Sequence, residues 1–359
     1  MEANNKTIII AEAGVNHNGS LKLALELIDA ASYVGADIVK FQTFSAEDIA
    51  SEEASMADYQ KVNCGKTESQ YEMLKRLELP KEYYPKLIEH CNKRKIKFMS
   101  SIFDHRDVHF LHALNMPFFK IPSGEITNGP LLLEVAKTKS PIILSTGMAT
   151  LGEIEQALMV IAFGFLHPTI PPSIEAFTRH WQHPLAHKII AEKVILLHCT
   201  SDYPALLNDV NLRAMSSLAQ TFQVSVGYSD HTRGTTISIA AVALGAQVIE
   251  KHFTIDQTLP GPDHKASLSP NQFKDMVEKI REVEVALGSP LKFRTSAEEN
   301  TAQVARKRIL ASKKIEVGDT LSEDNMAFKR AEQGISPMNY WEKAGKKSTT
   351  VYEKNEYII

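Results

Sequence analysis

Short apolar runs rich in β-branched residues recur eight times along the chain, and most lead into a compact polar cluster before apolar residues reappear at helical spacing. Alternation of this kind predicts strands over residues 7–11, 36–41, 97–100, 118–121, 141–145, 194–197, 224–227 and 247–250. Amphipathic stretches at 21–34, 81–94, 107–114, 131–137, 152–163, 212–221, 235–244 and 271–287 predict helices between and after them. Eight strand–helix units in strict order imply an α/β fold with a parallel sheet that closes into a (β/α)8 barrel. An open doubly wound sheet would want a glycine-rich fingerprint after the first strand. Ala13-Gly14-Val15-Asn16-His17 is not one.

Barrel enzymes carry their chemistry at the C-terminal ends of the strands, where these polar clusters fall. Lys40 and Lys120 each end an apolar run. A buried ammonium is costly without an anion, so the pair reads either as structural ion pairs or as a seat for a phosphate, the reading we favour. Ser101, Ser123, Ser145 and Ser229 stand at equivalent rim positions and would complete an oxygen-anion cradle. His231 and His252 close the seventh and eighth strands and would aim two imidazoles at one point, as a transition-metal site requires. His17 reads as a third ligand or a hydrogen-bond donor, His198 as packing. Glu12 and Glu125 are rim carboxylates able to orient a water or hold a hydroxylated substrate. Asp263, in Pro260-Gly261-Pro262-Asp263, sits in a rigid loop after the last strand.

Composition narrows the class. Over 359 residues, 43% hydrophobic and 23% charged with net charge −3, nothing forms the basic footprint of a nucleic-acid binder. No apolar stretch approaches the roughly 20 residues that span a bilayer, and the polar start has no signal-peptide core. Cys64, Cys91 and Cys199 lack metal-type spacing and read as free thiols of a cytoplasmic protein. Residues 1–288 are predicted as the barrel, with a polar excursion at 45–69 expected to act as a lid. An insertion at 164–192, rich in Pro, His and aromatics, opens on the face away from the chemistry, so its histidines are expected at the surface. Residues 289–303 read as a linker and 304–359 as a small second domain with only a marginal core of its own.

The segments IIIAEAGVNHNG, VKFQTF, KIPSGE, ILSTGM, LLHCTSDYP, GYSDHT, EKHFT and GPDHKASL, in this order, resemble the sialic acid synthase family. The end of the chain, with Gly318-Asp319, Leu321-Ser322 and Phe328-Lys329-Arg330, resembles the antifreeze-like (SAF, β-clip) domain that follows the barrel in that family. The resemblance implies a transferase that condenses phosphoenolpyruvate with an N-acetylmannosamine-type sugar and water, releasing phosphate by C–O cleavage after C3 attacks the open-chain aldehyde. It implies Mn2+ or Mg2+ on His231 and His252, with Glu12 near the metal-bound water. Phosphoenolpyruvate would lie on Lys40, Ser101, Lys120, Ser123, Ser145, Ser201 and Ser229, and the amino sugar on Glu125, Tyr203 and Asp263. Gln42 falls among the same substrate-binding residues. It also implies a domain-swapped homodimer in which Arg330 of the other subunit reaches over the sugar.

N-acetylneuraminate is the first expected product. The alternative is N,N'-diacetyllegionaminate from 2,4-diacetamido-2,4,6-trideoxy-mannose, with pseudaminate behind both. A metal aldolase using free pyruvate is a competing enzyme class. An ice- or carbohydrate-binding module is a competing non-enzymatic one, disfavoured by the charges Lys313, Lys314, Glu316, Asp319, Glu323 and Asp324 that crowd the C-terminal unit.

Overall fold

A computed structural model describes residues 6–57, 60–61, 68–167 and 169–359. Cys64 lies outside them, as does part of the segment expected as a lid. The chain divides into two compact units, Met1–Gly288 and Ser289–Ile359. In the first, β1 (Ile8–Gly14), β2 (Ile38–Thr43), β3 (Lys97–Ile102), β4 (Phe119–Ile121), β5 (Ile142–Ser145), β6 (Val194–Cys199), β7 (Ser225–Asp230) and β8 (Val248–His252) form a closed parallel barrel. Eight helices cover it: α1 (Leu21–Tyr33), α2 (Tyr84–Arg94), α3 (Val108–Ala113), α4 (Gly129–Lys137), α5 (Leu151–Leu166), α6 (Ala214–Phe222), α7 (Thr236–Ala243) and α8 (Pro270–Leu287). No helix among the described residues is long and apolar enough to cross a membrane.

All eight predicted strands are present, but most run one to three residues past the expected end. Polar side chains halt the apolar pattern before the backbone pairing stops. The two-residue pleat sorts the side chains of each strand onto two faces. Ile8, Ile10, Ile38, Met99, Phe118, Ile143, Ile195, Leu197 and Val248 fill the barrel interior. Two positions on, the same side of each strand presents Glu12, Lys40, Ser101, Lys120, Ser145, Cys199 and Glu250 above that apolar floor. The opposite side packs Ile9, Ala11, Val39, Phe41, Phe98, Phe119, Leu144, Leu196, Tyr228 and Ile249 against the helices. Gly14 adopts φ +53° where the β1–β2 register shifts between Glu12 and Gly14, a conformation glycine adopts without strain.

Two sequence expectations change in detail. The insertion starts later than residue 164, because α5 runs to Leu166, and it holds two helices, Ile174–Trp181 and Pro184–Lys193. Its histidines are not all at the surface. His167 and His180 are half-buried with ring centroids 3.9 Å apart, both against Phe163 of α5. The described part of the 45–69 excursion is anchored, with Met56 in an apolar cluster with Val15, Phe44, Met73 and Leu77.

The second unit pairs β9 (Lys307–Ala311) antiparallel with β10 (Met326–Arg330) around Ile309, Ala311, Ile315, Leu321, Met326, Tyr352 and Ile358. Within the stretch read as linker, Glu299–Ala305 begins a helix. Arg330 ends β10 with its side chain exposed.

Gly227 of β7 leaves no room for a side chain, because a Cβ there would collide with the Val248 carbonyl oxygen and the Leu197 side chain. Gly227→Ala is therefore expected to lower stability by about 1–3 kcal/mol through forced separation of β7 and β8. Urea denaturation of the purified chain checks it, and an unchanged midpoint contradicts it.

Candidate active site

At the C-terminal mouth of the barrel lies a cavity of about 450 Å³. Its wall includes twelve of the residues singled out from sequence: Glu12, Lys40, Gln42, Ser101, Lys120, Ser123, Ser145, Ser201, Tyr203, Ser229, His231 and His252. A larger cavity of about 600 Å³ adjoins it through Met148, Cys199 and Ser201 but has no lysine or arginine among the described residues of its wall. The smaller one gathers the buried charges.

Four buried charges organise that cavity. Lys40 Nζ lies 2.9 Å from Glu12 and 2.5 Å from Glu250, and Lys120 Nζ lies 3.4 Å from Glu250. Lys120 also donates to Ser145 Oγ at 2.8 Å, and Ser229 Oγ donates to Glu250 Oε1 at 2.8 Å. Gln42 donates to Glu12 Oε1 at 3.2 Å. Each lysine is thus ion-paired, as the structural reading expects, and both ammoniums meet at one carboxylate. Burial alone would raise the Glu250 carboxyl, but Lys120 and Lys40 beside it hold it below the ordinary range. Burial raises Glu12 despite Lys40, and burial lowers Lys120 despite Glu250.

Residue type gives Glu250 no role beyond its place in the segment that ends at His252. The signal that finds it is the pleat: from the apolar floor residue Val248, every second position points inward, so Glu250 must face the lysines. The same rule turns Lys251 and Asp230 outward, where they pair at 3.0 Å between strand and helix, fully buried and away from the cavity.

His231 and His252 do converge, with ring centroids 5.8 Å apart, and Tyr203 packs 4.1 Å from the first and 5.7 Å from the second. His231 Nδ1 donates to the Thr200 carbonyl at 2.6 Å, which leaves Nε2 with its lone pair. Burial lowers His231 to about 4 and drives His252 well below its usual value, so both rings are neutral at physiological pH. The buried Nδ1 of His252 has no hydrogen-bond partner among the described residues. Neutral imidazoles with a free nitrogen fit a divalent metal ion. Among the described residues no group of three or more His, Cys, Asp or Glu side chains is arranged around one ion, so such a metal would keep most positions for water and substrate.

The remaining candidates separate. Ser123 Oγ accepts from the Gly147 backbone N–H at 3.0 Å and lies 3.2 Å from Cys199 Sγ. Asp263 opens on a side cavity of about 110 Å³ that shares Gln42, Tyr203 and His252 with the main one, and its carboxylate is 3.8 Å from His252 Nδ1. Its loop is held by Ser267 donating to the Asp263 carbonyl at 2.7 Å and by Asn16 donating to Ser267 Oγ at 2.9 Å. Glu125 is not in the cavity wall; its carboxylate accepts from Asn128 at 2.7 Å in the turn after β4. His17 does not line the main cavity either: its Nδ1 accepts from the Gly19 backbone at 3.0 Å and its ring lies against Phe41. His198 packs as expected and donates to the Val210 carbonyl. Cys91 and Cys199 are free and buried. Arg330 belongs to the second unit.

The family model described as "NeuB family" matches residues 27–292. N,N'-diacetyllegionaminic acid synthase of Campylobacter jejuni subsp. jejuni serotype O:2 is 46% identical over 353 residues, 98% of this chain and 99% of that protein. N-acetylneuraminate-9-phosphate synthase of Homo sapiens is 35% identical over 354 residues, covering 98% of this chain and 91% of that one. The crystal structure of N-acetylneuraminic acid (sialic acid) synthetase from Leptospira borgpetersenii serovar Hardjo-bovis, in complex with citrate, aligns with a TM-score of 0.66 at 31% identity. That alignment covers 83% of this chain and 90% of that chain.

Burial, helped by the Glu12 charge, raises the Asp263 carboxyl to about 7. Its native form therefore binds a proton that the unfolded chain has released, and the stability it contributes is lost as pH rises from about 4 through 7. In metal-free protein, Asp263→Asn should match the parent near pH 4 and exceed it by about 2–4 kcal/mol at pH 8. Chemical denaturation across that range checks it, and a difference independent of pH contradicts it.

Proposed function

The chain belongs to the NeuB family, and from that premise we propose that it condenses phosphoenolpyruvate with 2,4-diacetamido-2,4,6-trideoxy-mannose and water to give N,N'-diacetyllegionaminate and phosphate. The observation that carries the reaction class is the convergence of Lys40 and Lys120 on one buried point beside two neutral imidazoles. For the sugar, 46% identity to the Campylobacter synthase against 35% to the human one supports the diacetamido substrate. This reverses the order expected from sequence, where N-acetylmannosamine came first; that sugar remains the second reading.

A divalent manganese or magnesium ion on His231 and His252 would supply Lewis acidity toward the sugar aldehyde. Lys40 and Lys120 would hold the phosphate and carboxylate of phosphoenolpyruvate, with Ser101, Ser123, Ser145, Ser201 and Ser229 donating to the remaining oxygens. Attack by C3 on the aldehyde carbon leaves positive charge at C2, which the Glu12 carboxylate would offset. The burial that raises Glu12 also suits it to take a proton from the water that adds at C2. Breaking the bond between C2 and the bridging oxygen then releases phosphate. Tyr203 and Asp263 would hold the sugar, with Glu125 at the rim. Arg330 would reach it from a second copy in a domain-swapped dimer, whose C-terminal unit we read as an antiparallel SAF-type domain acting in the cytoplasm.

Purified protein with phosphoenolpyruvate and Mn2+ should release phosphate with the diacetamido sugar at a kcat/KM about tenfold or more above that with N-acetylmannosamine. The reverse preference would restore the first sequence reading, and condensation of free pyruvate without phosphate release would replace the synthase by an aldolase. In water enriched in heavy oxygen the released phosphate should stay unlabelled. His252→Ala should keep the fold by circular dichroism while losing both turnover and calorimetric Mn2+ binding; retained turnover in EDTA would refute the metal assignment.

A further inference from the structure

Among the described residues the cavity wall carries four formal charges, and they cancel: Glu12 and Glu250 against Lys40 and Lys120. Neither His231 nor His252 is a permanent cation, and the side cavity brings Asp263 but no lysine or arginine among the described residues. Lys251, the next nearest ammonium in sequence, faces the helices and is spent on Asp230. A site built for a dianion or trianion is therefore electrically balanced before the anion arrives.

Glu250 holds the central place in that balance. It contacts both ammoniums, at 2.5 Å and 3.4 Å, it is fixed by the Ser229 hydroxyl at 2.8 Å, and its side chain is 6% exposed. Lys40 has a second carboxylate, Glu12, at 2.9 Å. Among the described residues Lys120 has no second carboxylate in an ion pair; it donates a hydrogen bond to Ser145. Bringing a multiply charged anion out of water into a buried site of zero net charge costs more than two lysines acting alone would suggest, because their field is already cancelled. A divalent cation entering with the anion offsets two of its charges.

We propose that Glu250 is a positioning residue and the built-in counter-anion of the two lysines: it aims both ammoniums at one ligand position and makes tight binding of phosphoenolpyruvate conditional on a divalent cation. The proposal rests on the assignment of phosphoenolpyruvate as substrate.

Calorimetric titration of the full chain with phosphoenolpyruvate, in Mn2+ and in EDTA, tests it. The parent protein should bind about tenfold or more weakly in EDTA. Glu250→Gln, which leaves one net positive charge in the wall, should shrink that ratio to about threefold or less by strengthening the metal-free complex. Its kcat should fall without a rise in the KM for phosphoenolpyruvate, a split that simple loss of structure does not produce. Glu250→Asp keeps the charge and should restore the metal dependence; it also decides the matter if the glutamine variant does not fold. Equal affinity of the parent in Mn2+ and EDTA overturns the proposal, as does full metal dependence in a folded Glu250→Gln or its loss in Glu250→Asp. Turnover with metal-independent affinity sinks the counter-anion alone, whereas no binding of phosphoenolpyruvate in Mn2+ sinks the functional reading with it.

Discussion

Glu12, Lys40, Lys120 and Glu250 come from four different strands, and each is nearly inaccessible to water. Ammonium and carboxylate groups tolerate such burial only in one another's company, and removing any one strands a charge that the interior cannot solvate. Glu12 stands opposite Lys40 in the β1–β2 register, and Glu250 stands opposite Ile10 in the pairing of β1 with β8. The cluster can assemble only if the barrel closes through that last pairing. Formation of the site and closure of the sheet are in this sense the same event.

Beneath the charges lies a floor of aliphatic side chains that keeps water from below, and above them the loops add what the strands cannot. Thr200 fixes the tautomer of His231, Tyr203 packs against both imidazoles, and the Asn16–Ser267 contacts hold the loop of Asp263. The division matches what a barrel enzyme needs: rigid strands for the charged groups, whose geometry tolerates little error, and loops for contacts that vary with substrate. Members of one family can then share a reaction while their names record different sugars.

Burial pulls the titratable groups apart by chemical type. It keeps the two imidazoles neutral, and it pushes Glu12 and Asp263 toward the protonated form. Glu250 alone among these carboxyls is driven the other way, because both lysines face it. One site thus holds a permanent anion, a carboxyl in Asp263 raised to about 7, and lone pairs free for a cation.

From sequence alone, the number and order of strands, the closed barrel and most of the cavity wall were legible, since a two-residue pleat and a helical repeat both leave periodic marks in a linear chain. Lys40, Lys120, His231 and His252 could be found because each interrupts or ends an apolar run. Glu250 gained its role, and Lys251 and Asp230 were turned away from the cavity, only through tertiary structure: one step along a pleated strand exchanges the barrel interior for the helix interface, and a polar cluster at a strand end does not announce its phase. The turn that directs Glu125 to Asn128 is likewise local geometry that residue type does not encode. The ion pair between Lys40 and Glu250 joins positions 210 residues apart. Periodicity speaks for one strand at a time, whereas that contact exists only where the first and last strands of the barrel meet.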